Sequence, residues 1–136
     1  MKKILMSMPW DPEIMSNLNE EINKLKNIGF QVELDRNMRR LTEQELIDRT
    51  VGVFAHICGA DAWTEKALEA TDSIRIISRI GVGYDTIDLN VATRKNIAVL
   101  TTPGAGAESV AEYSFALMIN MSRNILQVDR DVRKGG

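Results

Sequence analysis

Short apolar runs alternate with stretches of helical spacing along the whole chain. Ile4–Met8 has the pattern of a buried strand. Asp11-Pro12-Glu13 follows, with a capping residue, a proline for the first helical position and an acid for the first turn. Ile14, Leu18, Ile22, Leu25 and Ile28 then recur on one helical face, and Gly29 supplies the stop. Phe30–Leu34 alternates as a half-exposed edge strand. Thr42-Glu43-Gln44-Glu45 is a capping box that opens a short helix. Val51–Ile57 predicts a third strand, Trp63–Ala70 a helix and Ile74–Ile80 a fourth strand. Asp88–Lys95 reads as a short helix capped by Asp88 and stopped near Asn96, and Ile97–Thr101 as a fifth strand. Ser109-Val110-Ala111-Glu112 is a second capping box, from which the longest helix is expected to run.

Strands separated by helices of these lengths imply βαβ units. The fold class expected is therefore α/β, a five-stranded parallel sheet with helices on both faces that ends in a long linking helix. The length of 136 residues fits one compact domain and leaves little for a second. A net charge of -2, with basic residues scattered, offers no footprint for nucleic acid or an anionic membrane. The start imitates a signal peptide, but its apolar run breaks at Ser7. Val110–Met121 is too short and too polar at Glu112 and Asn120 to cross a bilayer. Cys58 is the one cysteine, so an internal disulfide is impossible and a reducing cytoplasm is expected.

The last helix is apolar almost all round, through Val110, Tyr113, Phe115, Leu117, Met118, Ile119 and Met121. A surface helix shows one stripe. This one calls for cover on more than one side, from sequence outside the chain or from a second copy in a homodimer. A central helix in a small core is the other reading.

Ligands of open parallel sheets bind beyond the carboxyl ends of the strands. The segments there are Pro9–Asp11, His56–Asp61, Gly81–Asp85 and Thr102–Ala107. Within Arg79-Ile80-Gly81-Val82-Gly83-Tyr84-Asp85, glycines allow close backbone approach, and the N–H groups of Val82 and Gly83 can form a nest for a small carboxylate. On spacing alone a ligand-free tight turn is the stronger reading. Gly81-x-Gly83 is followed by Thr86 and Gly104-x-Gly106 by Ser109, so neither completes a dinucleotide fingerprint. Pro103, Gly104 and Gly106 fit either a hinge or an ordinary strand-to-helix connection. His56 and Cys58 lack the further ligands a metal needs and, as a nucleophile pair, an orienting third group; a packed strand end fits them better. No metal site is expected.

Ser73–Asp88, with Arg79-Ile80-Gly81-Val82-Gly83-Tyr84-Asp85 at its centre, resembles the substrate-domain signature of the D-isomer-specific 2-hydroxyacid dehydrogenases. The likeness continues through Ala92–Val99, Thr102-Pro103-Gly104-Ala105 and Glu108-Ser109-Val110-Ala111-Glu112. Within the family the chain is similar to the D-3-phosphoglycerate dehydrogenase-like members. The resemblance implies a flavodoxin-like substrate domain over residues 1–107, and a long helix over 108–136 leading to an NAD-binding Rossmann domain outside this chain. It implies an oxidoreductase that passes hydride between NAD(H) and a 2-hydroxy or 2-keto acid. Arg79, Gly81, Val82 and Gly83 are the implied substrate-binding residues. Val82 and Val110 are implied to lie near the nicotinamide. The family's catalytic arginine, glutamate and histidine would follow Gly136, so no catalytic residue is expected here and the chain alone is expected to be inactive. The sequence departs from common family usage at Thr86 and Gly106, where asparagine is frequent, and at Tyr113, where histidine is.

Two rival classes bear comparison with this pattern. A stand-alone small-acid-binding or self-association module keeps the same fold without catalysis. An unrelated receiver or FMN carrier needs an aspartate ending the third strand, or a phosphate loop after the first. His56-Ile57-Cys58 and Met8-Pro9-Trp10-Asp11 supply neither.

Overall fold

The structure is a computed structural model that describes residues 1–7, 12–35 and 39–135. Five parallel strands form one sheet in the order β2-β1-β3-β4-β5. They are β1 (Lys2–Ser7), β2 (Phe30–Asp35), β3 (Val53–Cys58), β4 (Ile76–Arg79) and β5 (Ala98–Leu100). The helices between them are α1 (Pro12–Asn27), α2 (Glu43–Arg49), α3 (Glu65–Glu69) and α4 (Leu89–Arg94). This is the flavodoxin-like arrangement, in which the strand order reverses beside β1.

Two apolar layers sandwich the sheet. On one side α1 sets Ile22, with Leu18 and Leu25 partly buried, against Ile4, Met6 and Ala55. On the other, α2, α3 and α4 contribute Leu46, Leu68 and Val91 to a larger cluster around Leu5, Trp63 and Ile77. Alternation along β1 explains this: Ile4 and Met6 face one layer and Leu5 the other. Ile28, placed on the buried face of α1 by spacing, is 71% exposed, because α1 has already ended at Asn27. Gly29 takes the left-handed φ of 94° at that stop.

The caps account for the helix boundaries. Thr42 and Glu45 form the full capping box of α2, as the sequence indicates. Asp88 accepts from the Val91 N–H, and Asn96 carries a left-handed φ of 55° just past α4. Thr64 caps α3, so Trp63 precedes the helix it was expected to open and is free to turn into the core. Residue Met8 of the expected first strand and the Asp11 cap of α1 lie outside the described residues.

The chain divides into two compact units, Met1–Thr102 and Pro103–Gly136. The second holds α5 (Ala107–Arg123) and α6 (Ile125–Arg133). The expected capping box at Ser109 and Glu112 does not form. α5 begins three residues earlier, after Gly106 in place of Ser109, with no side-chain cap, so Ser109 sits inside the first turn. The single long helix is also broken: Asn124 adopts a left-handed φ of 49°, and its carbonyl starts α6 by accepting from Val128 N–H at 2.9 Å. Neither helix contains a buried residue.

Candidate functional site

The glycine loop leaves the carboxyl end of β4. Ile80 N–H donates to the Cys58 carbonyl at 2.9 Å, which carries the β3–β4 ladder one step past the strand. Gly81 N–H then donates to Thr102 Oγ1 at 2.8 Å, and Thr102 N–H donates back to the Gly81 carbonyl at 2.9 Å. The two glycine-bearing segments are thus laced together at their first residues. Gly81 has φ 144°, a conformation that side chains rarely adopt. A Cβ there would lie 1.6 Å from Arg79 Nη1, so Gly81 also gives the guanidinium its space.

Arg79 is half-buried and its Nε is buried with no hydrogen-bond partner. Among the described residues no carboxylate pairs with it. Beyond Gly81, the N–H groups of Val82 and Gly83 likewise make no hydrogen bond within the described residues, and Val82 is 58% exposed. An unpaired cation and two free amide donors therefore sit within five residues, at the edge where parallel sheets bind ligands. That combination suits a small anion, and a carboxylate above all, because a planar guanidinium and paired N–H groups match its two oxygens.

Sequence reasoning missed a second polar cluster, at the carboxyl ends of β1 and β3 where the strand order reverses. Trp63 Nε1–H donates to His56 Nδ1 at 3.2 Å. This fixes the tautomer, so His56 Nε2–H donates to Ser7 Oγ at 2.6 Å. The Ser7 hydroxyl in turn donates to Asp61 Oδ2 at 2.8 Å, and Asp61 Oδ1 accepts from Leu41 N–H at 2.9 Å. His56 and Trp63 are fully buried, and Ser7 and Asp61 nearly so.

Ser, His and Asp meet here, yet the order is wrong for a nucleophile. A catalytic serine donates to histidine, and the acid holds the other ring nitrogen. Here serine donates to the acid, and tryptophan holds that nitrogen. Burial also lowers the His56 pKa to about 3, leaving a neutral ring. Burial, with help from Asp61, raises the Cys58 thiol to about 12, so it is no nucleophile either. The packed reading of His56 and Cys58 holds, though the statement that no third group lies nearby does not. Ser7 is 49 residues from His56 in sequence, too far for spacing to reveal.

The remaining candidates can be placed individually. Gly104 has a left-handed φ of 79°, whereas Gly106, at φ -111°, takes a conformation open to any residue. Pro103, Gly104 and Gly106 all belong to the second unit, as does Val110, which is 66% exposed in the first turn of α5. Neither glycine loop completes a pyrophosphate cradle. The Gly81 loop reaches a helix only at Leu89, and Gly104–Gly106 enters α5 with Glu108 in its first turn, an acid where a phosphate would lie. Among the described residues, no three metal-ligating side chains converge and no helix is long and apolar enough to cross a membrane.

An α/β domain with a flavodoxin-like sheet and an anion-suited loop after β4 defines the class. The chain belongs to the D-isomer-specific 2-hydroxyacid dehydrogenase family, whose catalytic-domain model matches residues 4–132. It is 35% identical over 117 residues to a D-3-phosphoglycerate dehydrogenase of Archaeoglobus fulgidus, an alignment covering 85% of this chain and 22% of the relative. It is 30% identical over 115 residues to a glyoxylate reductase of Pyrococcus furiosus, covering 84% of this chain and 34% of the relative. Its backbone matches the NAD+-bound 3-phosphoglycerate dehydrogenase of Entamoeba histolytica with a TM-score of 0.73 and 26% identity, over 88% of this chain and 38% of that one. The chain thus spans about a third or less of the curated relatives named here.

Proposed function

We propose that residues 1–107 are the substrate-binding domain of an NAD-dependent D-2-hydroxyacid dehydrogenase, and that 108–136 lead toward a cofactor domain that this chain does not contain. The observation that carries this reading is Arg79, whose buried Nε has no partner among the described residues, close in the chain to the N–H groups of Val82 and Gly83, which make no hydrogen bond among those residues. A buried donor without a partner costs about 1–3 kcal/mol, a cost that a bound carboxylate removes. Arg79, Gly81, Val82 and Gly83 hold the carboxylate of a small 2-hydroxy or 2-keto acid. Val82 and Val110 present apolar surface to the nicotinamide of NAD, whose phosphates are held elsewhere. Pro103, Gly104 and Gly106 act as the hinge, which fits the division of the chain after Thr102. The acid–base and carbonyl-polarising groups lie outside residues 1–136, so the chain alone turns nothing over. The lone buried thiol suits a cytoplasmic protein, and the apolar surface of α5 suits a homodimer.

Titrating glyoxylate into the 15N-labelled chain tests the site. The amide signals of Val82 and Gly83 should move, and Arg79→Gln should weaken binding about tenfold or more. Shifts confined to other residues, or none, would sink the assignment. NADH oxidation with glyoxylate above the blank by the chain alone would overturn the placing of the catalytic groups.

A further inference from the structure

The buried cluster at the strand-order reversal occupies the position where doubly wound sheets ordinarily admit a ligand. Here protein side chains fill it. Polar groups in a core are costly unless each is satisfied, and an apolar core of the same volume is often as stable. What a hydrogen-bond chain adds is direction. With Trp63 donating to Nδ1, every proton from His56 to Asp61 has one satisfied placement, and Leu41 N–H closes the end.

This chain of bonds leads to the glycine loop. Trp63 pairs with Ile87 in an isolated parallel bridge, and Asp88 N–H donates to the Trp63 carbonyl at 2.9 Å. On the other flank, Ile80 N–H is held by the Cys58 carbonyl at 2.9 Å. Both ends of the segment carrying Gly81, Val82 and Gly83 therefore hang from Cys58–Trp63. Ser7 of β1 holds that segment through Asp61, and holds β3 just before it through His56. The Trp63 ring further packs edge-on against His56, with centroids 5.6 Å apart.

We propose that the Trp63–His56–Ser7–Asp61 hydrogen-bond chain positions the glycine loop, with Ser7 and Trp63 as positioning residues that set its geometry from the sheet interior. Only the ligand-binding consequence rests on the carboxylate reading above.

Amide hydrogen exchange on the full 136-residue chain tests this directly. Ser7→Ala removes the central hydroxyl, and Trp63→Phe keeps an aromatic ring, though a smaller one, and removes the outer donor. Ile22→Ala, in the opposite apolar layer, controls for general destabilisation. The first two variants should each speed exchange at Ile80, Gly81, Ile87 and Asp88 about tenfold beyond the rise seen with Ile22→Ala. Ile87 and Asp88 adjoin Trp63, so the deciding readouts are Ile80 and Gly81 for Trp63→Phe and all four amides for Ser7→Ala, a shared pattern that local damage would not produce. A uniform rise matching Ile22→Ala, or changes confined to the neighbours of each replaced residue, would overturn the proposal. Either variant alone suffices if the other does not fold. Glyoxylate affinity should fall about tenfold in both. Failure of the unsubstituted chain to bind glyoxylate overturns the carboxylate reading, while the exchange pattern still decides the positioning role.

Discussion

The two units of this chain use apolar residues in opposite ways. In Met1–Thr102 they are segregated by strand alternation and helix spacing, and they disappear into two layers around the sheet. In Pro103–Gly136 they surround α5, and none of its residues is buried; Phe115 and Met121 remain 66% and 77% exposed. Apolar content alone does not make a core. A core needs a periodic pattern on one element matched by a pattern on another, and the second unit carries no sheet to answer its helices.

Core truncation should break this contrast most visibly. Trp63→Ala should cost roughly 3–5 kcal/mol in urea unfolding, since the side chain is fully buried and also donates to His56. The matching truncation Phe115→Ala should change stability by about 0.5 kcal/mol or less. An equal loss at Phe115 would show that α5 is packed in solution. Sedimentation velocity across a concentration series addresses the same point: a homodimer through α5 predicts association that Phe115→Glu abolishes, and a monomer at every concentration refutes it.

Acidification gives the next largest effect. The folded His56 pKa is depressed to about 3 while the unfolded value stays near 6.5. Between those values the unfolded chain binds a proton that the folded chain refuses. Stability is therefore full above about pH 6.5 and falls as the pH drops toward 3, by at most about 1.4 kcal/mol per unit. The chain has one histidine, so its ring signals in NMR are unambiguous. They should show a neutral ring, protonated at Nε2, at pH 5. A ring that titrates near 6.5 in the folded state would contradict the network.

Smaller effects should separate the helix starts. Thr42→Ala removes the hydroxyl that accepts from Glu45 N–H, the side-chain half of a formed capping box, and should cost about 1 kcal/mol. Ser109→Ala should cost almost nothing, because α5 starts at Ala107 and Ser109 caps nothing. Thermal unfolding of the pair distinguishes a formed box from the same letters placed inside a helix.

That last pair shows where sequence reading succeeds and where it stops. The strands, the helices of the first unit and the caps at Thr42 and Asp88 were legible, because each depends on residues within a few positions of one another. The α5 start was misread because a capping box is only a local option, and the backbone turned at Gly104–Gly106 first. The break at Asn124 was not foreseen, since a single left-handed asparagine leaves no periodic trace. At the site, the glycine loop was legible from its composition. The free guanidinium was not, because pairing depends on what the fold brings near it. His56 was noticed, but its partners Ser7 and Asp61 were invisible.

The sequence by itself determined the α/β class, the parallel sheet, the family and the position of the glycine loop after the fourth strand, since these follow from short-range periodicity and motif. Only the tertiary structure decided which polar groups are paired. Hydrogen bonds and burial are made between strands far apart in sequence. It is this long-range pairing that leaves the Arg79 Nε without a partner among the described residues and ties Ser7 to His56 and Asp61.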